Sequence, residues 1–280
     1  MGHLAAKDTY RKLGRKIDSL TFRAPWNETL HSILRELYTA EEAEVVAKMP
    51  YGLSAQKQIK NATHFEETRL RKILDSLCAK GLVMDMWLNG KYHYVISPLI
   101  VGIFEFTMMR TGDSLNTREW ARLFHEYLQG DDSLYAANFK NGQKISPLRA
   151  LPYEDAVGES DYVEILDYEK ASAIVDNARQ FAIGICSCRH EKLHAGVKTC
   201  EVPLNTCSTF GKATDYLVSH GMARAVTRTE MLENIARSHE MGLVLCADNV
   251  KKISHLSVIA ADAAAIFFLE LANSATPIPW

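Results

Sequence analysis

Four of the six cysteines lie within 22 residues, as Cys186-Ser187-Cys188-Arg189-His190 followed by Cys200 and Cys207. A thiolate ligates zinc or iron, and four of them complete a zinc site or an iron–sulfur cluster with no other side chain. The spacing C-x-C-x11-C-x6-C departs from the paired C-x2-C knuckles usual for structural zinc. An iron–sulfur cluster is more tolerant of irregular spacing, because each iron asks for one thiolate. Such a cluster carries net negative charge, and Arg189, His190 and Lys192, with Lys198 beyond them, could offset it by charge and by hydrogen bonds to sulfur. The expected ligands are Cys186, Cys188, Cys200 and Cys207 around one 4Fe–4S cluster, with zinc as the alternative. His190 and His194 read as donors around the site or as surface residues, since four cysteines already fill it. Cys78 reads as a core thiol, and Cys246, at a strand end after Leu245, could approach the site as a fifth thiol but reads as inert core.

A disulfide reading conflicts with the compartment. The opening MGHLAAKDTYRKLGRK has no apolar signal core, so a cytoplasmic setting with reduced thiols is expected.

The elements that must position the cysteines begin near residue 160, where strands and helices alternate. Asp167 can cap a helix with Ala171, Ile174, Val175 and Ala178 on its inner face, and Phe181-Ala182-Ile183-Gly184-Ile185 reads as a buried strand. Helices are expected at about 209–219 and 228–241, the second leading into the strand Leu243-Val244-Leu245. Cys186 and Cys188 then fall at a strand end, Cys200 on a loop with Gly196, and Cys207 just before a helix. The stretch Leu256 to Ala275 is long enough to span a bilayer but contains Asp262 and Glu270, so it reads as a buried or amphipathic Ala-rich helix and no membrane segment is expected.

Ahead of this region, residues 1–25 suggest an amphipathic helix and a connector, and residues 30–98 suggest a winged helix-turn-helix. Helices are expected at Leu30–Leu37 and Ala40–Met49, then from Ser54 and from Thr63, the last with the apolar face Leu70, Ile73, Leu74, Leu77 and Cys78. Asn89-Gly90 between two alternating runs is a hairpin signal. Thr39/Glu42, Thr63/Glu66, Asn116/Glu119 and Thr227/Glu230 have capping-box spacing, and Gly81, Gly221 and Gly242 stand where helices should stop. Arg69, Arg71 and Lys72 on the helix before the wing would meet DNA phosphates on a functional reading. Glu66, Glu67 and Asp75 on the same helix favour a solvated face in a packing or docking module. Between the two units a helix over Trp120–Leu128 leads to a Gly/Asp/Asn-rich stretch, 130–142, that reads as a loop or lid.

The fold class expected is α+β: a helix-rich winged helix-turn-helix in residues 1–98, linking helices and a loop in 99–158, and a small α/β cysteine domain in 159–280. The 280 residues suffice for such cores, and 32 Lys+Arg against 34 Asp+Glu give a net charge of −2, which disfavours a chain that wraps nucleic acid. No Walker motif, dinucleotide fingerprint or nucleophile elbow is present.

The cysteine region resembles a family of bacterial and archaeal 4Fe–4S ferredoxin-type oxidoreductases with an N-terminal winged-helix-like segment. The likeness covers Leu151-Pro152-Tyr153-Glu154 and residues 165–249. It is densest at Cys186-Ser187-Cys188-Arg189-His190, at Cys200-Glu201-Val202-Pro203-Leu204-Asn205-Thr206-Cys207 and at Phe210-Gly211-Lys212-Ala213. The family continues into a dense cysteine run and a ferredoxin domain; here the corresponding stretch, Val258 to Ala265, has no cysteine. The resemblance implies one cluster serving electron transfer or redox chemistry on a small ligand, with a redox partner protein or small molecule and room for a homo-oligomer. The alternatives are a redox- or metal-responsive DNA-binding regulator and a zinc-stabilised adaptor.

Overall fold

The computed structural model describes residues 2–20, 22–139, 148–152, 154, 170–248 and the strand at 267–272. The expected cap at Asp167 and the cysteine-free run Ala260–Ala265 lie outside them.

An amphipathic first helix, α1 (Gly2–Asp18), is followed by α2 (Glu28–Leu37) and α3 (Ala40–Lys48). Asn27 caps α2, its side chain accepting from Leu30 N at 2.8 Å. Thr39 and Glu42 close a reciprocal box on α3, at 3.2 and 2.8 Å. A two-residue strand, β1 (Ser54–Ala55), then precedes α4 (Gln56–Thr63) and α5 (Glu67–Ala79). The start expected at Thr63 is displaced: Thr63 ends α4 with its hydroxyl donating to Ile59 O, and Glu66 caps α5 by accepting from the N–H groups of Thr68 and Arg69, each at 2.8 Å. A carboxylate there satisfies two orphan donors and complements the helix dipole. The strands β2 (Val83–Leu88) and β3 (Lys91–Ile96) form the hairpin, with Asn89 and Gly90 at φ 50 and 77. Positive φ at both residues is what the type I′ turn requires. β1 pairs with β3, giving a three-stranded sheet in the order β1-β3-β2.

After an irregular turn at Leu99–Ile103 come α6 (Phe104–Met109), α7 (Thr117–Gln129) and α8 (Ser133–Phe139). Asn116 precedes α7, but its amide donates to Glu36 Oε1 at 2.8 Å instead of closing a box. The expected loop or lid is a helix over 133–139, started by Asp131, which accepts from Ser133 N at 2.7 Å. The buried Asn138 amide exchanges hydrogen bonds with the backbone of Arg23 at 2.9 and 3.1 Å, fixing α8 to the connector after α1. Part of that stretch, 140–142, lies outside the described residues.

The C-terminal part is built on six strands: β4 (Leu148–Ala150), β5 (Phe181–Ile185), β6 (Asn205–Phe210), β7 (Ala223–Val226), β8 (Leu243–Asp248) and β9 (Phe267–Ala272). Their order is β4-β8-β9-β6-β5-β7, and every ladder is antiparallel. The helices are α9 (Ala171–Asn177), α10 (Ser187–His194), α11 (Lys212–Ser219) and α12 (Arg228–Glu240). Thr227 and Glu230 cap α12 reciprocally. Two expectations are corrected here. Cys207 lies within β6, where β-branched Thr206 and Thr209 favour a strand. The helix expected over Leu256–Ala275 is, where described, β9: the aromatic and aliphatic run Phe267–Leu269 is bonded between β6 and β8.

The architecture is thus α+β, but its two parts share a core. Leu13, Leu30, Leu34, Ile59, Leu70, Leu74 and Leu77 pack into one cluster that continues through Phe106 and Phe124 to Tyr216, Leu217 and Met222. The Tyr216 hydroxyl donates to the carbonyls of Cys78 and Val83, and His220 Nε2 lies 3.1 Å from Asp85 Oδ1. Met231, Phe181, Phe210 and Ile174 form a second cluster where α9 and α12 pack on the six-stranded sheet. No helix among the described residues is long and apolar enough to cross a membrane.

Candidate thiol centre

β5 aims its cysteines through a local irregularity. Gly184 pairs with Cys207, after which the register against β6 shifts and Ile185 faces Asn205. Such a bulge bends a strand and re-aims the residues just beyond it. Gly184 leaves room there for its neighbours, since a Cβ would lie 2.5 Å from Met109 Cε and 3.0 Å from Met222 O and would displace the methionine side chain. The chain then turns directly into α10, with Cys186 at its N-cap and Cys188 in its first turn. From sequence, Cys188 is expected at a strand end; the structure places it on a helix N-terminus, where unpaired N–H groups and the dipole favour a thiolate.

Cys186, Cys207 and Cys246 are buried together, with the half-buried Cys188 packed against them. Cys186 and Cys188 share a side-chain hydrogen bond. That bond, then burial, then the charges of Cys186, Glu105 and Cys207, hold the Cys188 thiol well above its ordinary pKa. Cys188 therefore stands as a protonated thiol that a bound cation would convert to a thiolate. Among the described residues, no three Cys, His, Asp or Glu side chains stand in ready ligand geometry. Of the two sequence readings of Cys246, inert core or a fifth thiol approaching the site, the structure has the second, with Cys246 joining the group from β8. Cys78, at 1% exposure, is a core residue of α5 as expected, and burial raises its pKa.

Cys200 lies half-buried on the loop between α10 and β6. That loop is held at both ends. Val197 N and Lys198 N donate to Lys192 O at 2.9 and 3.0 Å, and Cys186 N donates to Leu204 O at 2.8 Å. Lys198 Nζ donates to Cys200 O, and the buried Arg189 donates to Pro203 O and Thr206 Oγ1. Arg189 therefore ties α10 to the loop and to β6. Lys192 is exposed, with its carbonyl as the loop's acceptor. His190 is buried with Nδ1 2.6 Å from Met108 O and Nε2 3.0 Å from His194 Nε2, so both ring nitrogens have partners outside the thiol group. Its neighbour Glu191 meets His125 Nδ1 at 2.9 Å, joining α10 to α7.

One participant is not evident from sequence. Glu105 in α6 is buried, accepts from Gly102 N at 2.8 Å, and is among the charges that Cys188 senses. Burial raises its pKa against those backbone hydrogen bonds. A lone acid in the apolar run Leu99–Met109 is its only signal. Comparison with known proteins finds no matching family model, curated protein or solved structure.

Proposed function

We propose that the chain is an iron–sulfur protein serving electron transfer or redox chemistry on a small ligand, with one 4Fe–4S cluster on Cys186, Cys188, Cys200 and Cys207. The observation that carries this reading is the convergence of Cys186, Cys188 and Cys207, from the end of β5, the first turn of α10 and the middle of β6. Three of the four donors, Cys186, Cys188 and Cys207, fit the group in kind as soft sulfur donors gathered in a largely water-free place, one beside a helix N-terminus, while Cys200 lies outside that set on the loop between α10 and β6. Bound there, a cluster supplies a one-electron donor and acceptor. The chain's own residues position it. Arg189 holds the Cys200 loop against β6, His190 anchors α10 to α6 through Met108 O, and Cys246 walls the thiol group from the side of β8.

Within the same proposal, residues 30–98 are a winged helix-turn-helix. Two helices, a short strand, two further helices and a hairpin succeed one another, and the sheet order β1-β3-β2 suits that reading.

The test is anaerobic purification followed by iron and acid-labile sulfide analysis, with about four of each per chain expected for a cubane. A colourless protein holding zinc and no sulfide overturns the proposal in favour of a zinc-stabilised adaptor, which a chelator would destabilise.

A further inference from the structure

α1 and α3 pack against each other and leave between them a groove of about 650 Å³ that opens to solvent. Lys12, Arg15 and Lys16 stand on one face of α1, at the i, i+3, i+4 spacing, and that face forms one wall. The other wall is α3, with Glu44 and Lys48 one turn apart beside the small Ala47, and Tyr51 just past the helix end. The apolar side of α1, with Tyr10, Leu13 and Ile17, is buried in the core, and the Tyr10 hydroxyl donates to Tyr38 O at 2.8 Å. α1 is therefore a fixed wall and not a helix free to lay its apolar face on a membrane.

The charge of this groove is unbalanced. Among its described lining residues four cations meet one acid, and that acid, Glu44, is taken by Lys48 at 2.7 Å. The carboxylates next along α1 and α3 are engaged elsewhere: Asp18 holds Arg23 and Ala24 N, Glu41 pairs with Arg69, and the buried Glu42 pairs with Lys80. Arg15 and Lys16 are left without an ion pair among the described residues. Lys16 is half-buried, with its ammonium 3.5 Å from the centroid of the Tyr51 ring and donating to Met49 O. Burial lowers its pKa, so an anion beside it would stabilise its charge. Cations on both walls of a concave, low-dielectric space concentrate the field inside it. The half-exposed Tyr51 adds a flat ring at one end.

We propose that the groove between α1 and α3 binds a small molecule carrying a chain of phosphates, held by Arg15, Lys16 and Lys48, with any planar ring it bears laid on Tyr51. The space falls within the range of small-molecule sites, about 300–1,000 Å³, and exceeds what one phosphate fills. Cations arriving from two walls suit an anion whose charges sit on successive groups, and the Arg15 fork matches two phosphate oxygens at once. The inference does not rest on the cysteine reading, and its test is read without reference to bound iron.

The experiment is isothermal titration calorimetry of the full chain at about 50 mM salt, without added divalent metal, using tripolyphosphate, ATP, orthophosphate and adenosine. Tripolyphosphate and ATP should each bind at one site per chain, orthophosphate about tenfold more weakly or less, and adenosine not at all. ATP tighter than tripolyphosphate, by a margin that Tyr51→Ser removes, identifies a nucleotide as the source of the phosphates; equal affinities identify inorganic polyphosphate. Arg15→Gln should weaken both by about tenfold, the worth of one charge-assisted hydrogen bond. Lys48→Gln should also weaken both, because it leaves Glu44 uncompensated in the groove. Arg122→Gln, on α7 and paired with Glu119 and Glu126, should change neither. All these positions are exposed, and unchanged circular dichroism melts would show intact folding. No binding of either polyphosphate at millimolar concentration overturns the proposal. So does binding indifferent to Arg15 and Lys48, orthophosphate binding as well as tripolyphosphate, or tighter binding of polyglutamate, which would make the groove a contact for an acidic protein.

Discussion

Tyr216 Oη lies 2.9 Å from the carbonyl oxygen of Cys78, a buried bond between α11 and the end of α5 across 138 residues of sequence. The same hydroxyl reaches Val83 O at 3.2 Å, at the start of the hairpin, and burial raises its pKa. The helix after the cysteine-bearing β6 is therefore bolted to the junction of α5 and β2. Tyr216→Phe keeps the ring against Phe106 but removes this buried hydrogen bond, and since Cys78 O still accepts from Gly81 N at 3.0 Å the loss should be about 1 kcal/mol. Urea unfolding followed by both tryptophan fluorescence and far-UV circular dichroism should show one coincident transition, shifted to lower urea in the variant. Two separated transitions in the unmodified protein would refute the shared core.

Glu42 is buried and takes hydrogen bonds from Lys80 at 2.8 and 2.7 Å, from Ser76 at 2.7 Å and from Thr39 N at 2.8 Å. Burial alone would push its carboxyl up, but the bonds from Lys80, Thr39 and Ser76 outweigh that and hold it below its ordinary value. The folded state then binds the proton less readily than the unfolded one. Its contribution is complete above about pH 4.3 and is lost as pH falls through the lowered folded-state value. Lys80→Met should cost about 3 kcal/mol near neutral pH by leaving a buried carboxylate without its counter-charge. The gap between variant and parent should narrow on acidification, as read from urea midpoints at a series of pH values.

Two glycines with positive φ separate backbone strain from crowding. At Gly90, φ is 77 and an added Cβ meets nothing within 4 Å; at Gly81, φ is 81 and the Cβ would lie 2.3 Å from Phe106 Cβ. Gly90→Ala should cost about 1 kcal/mol, the left-handed penalty alone. Gly81→Ala should cost about 3 kcal/mol, because α6 has to move as well. Equal losses in thermal melts would show that Phe106 does not pack on that turn.

The ligand assignment separates Cys200 from Cys246. Cys200→Ser in protein purified without oxygen should lose most of its iron and visible absorbance, whereas Cys246→Ser, outside the local cysteine stretch, should keep both. The reverse pattern would make Cys246 the fourth ligand. Cys186→Ser should lose the cluster in either case, since no other thiol stands at the end of β5.

Much of this architecture is legible in the sequence where the signal is local. The boxes at Thr39 and Thr227 and the hairpin turn at Asn89-Gly90 depend on residues a few positions apart, and the structure has them. The strand 181–185 is legible from its unbroken apolar run. The start of α5 is not, because Glu66 serves as its own cap while Thr63 bonds backwards to Ile59, a choice between two local bonds that spacing does not rank. Long-range relations are opaque. Strand β6 reads as the lead-in to a helix until β5 and β9 flank it, and the strand-end position of Cys246 allows an approach to the other thiols without ranking it above an inert place in the core. Glu105 is hidden for the same reason: its relation to Cys188 crosses 83 residues.

The position of β9 has a consequence for how the molecule comes off the ribosome. Residues 267 and 268 pair with β6, and residues 268–272 pair with β8; among the described residues no other ladder joins β4 and β8 to β6, β5 and β7. The cysteines at 186, 188 and 207 can be gathered once α10 and the β5–β6 pair have formed. The backbone ladder that fixes β8, and Cys246 with it, beside β6 is closed only by β9, although α12 already packs on β5, β6 and β8. Until residues 267–272 have emerged, β6 and β8 each present an unpaired edge beside the thiols, and that is where oxidants, stray metal ions and foreign strands have their best access.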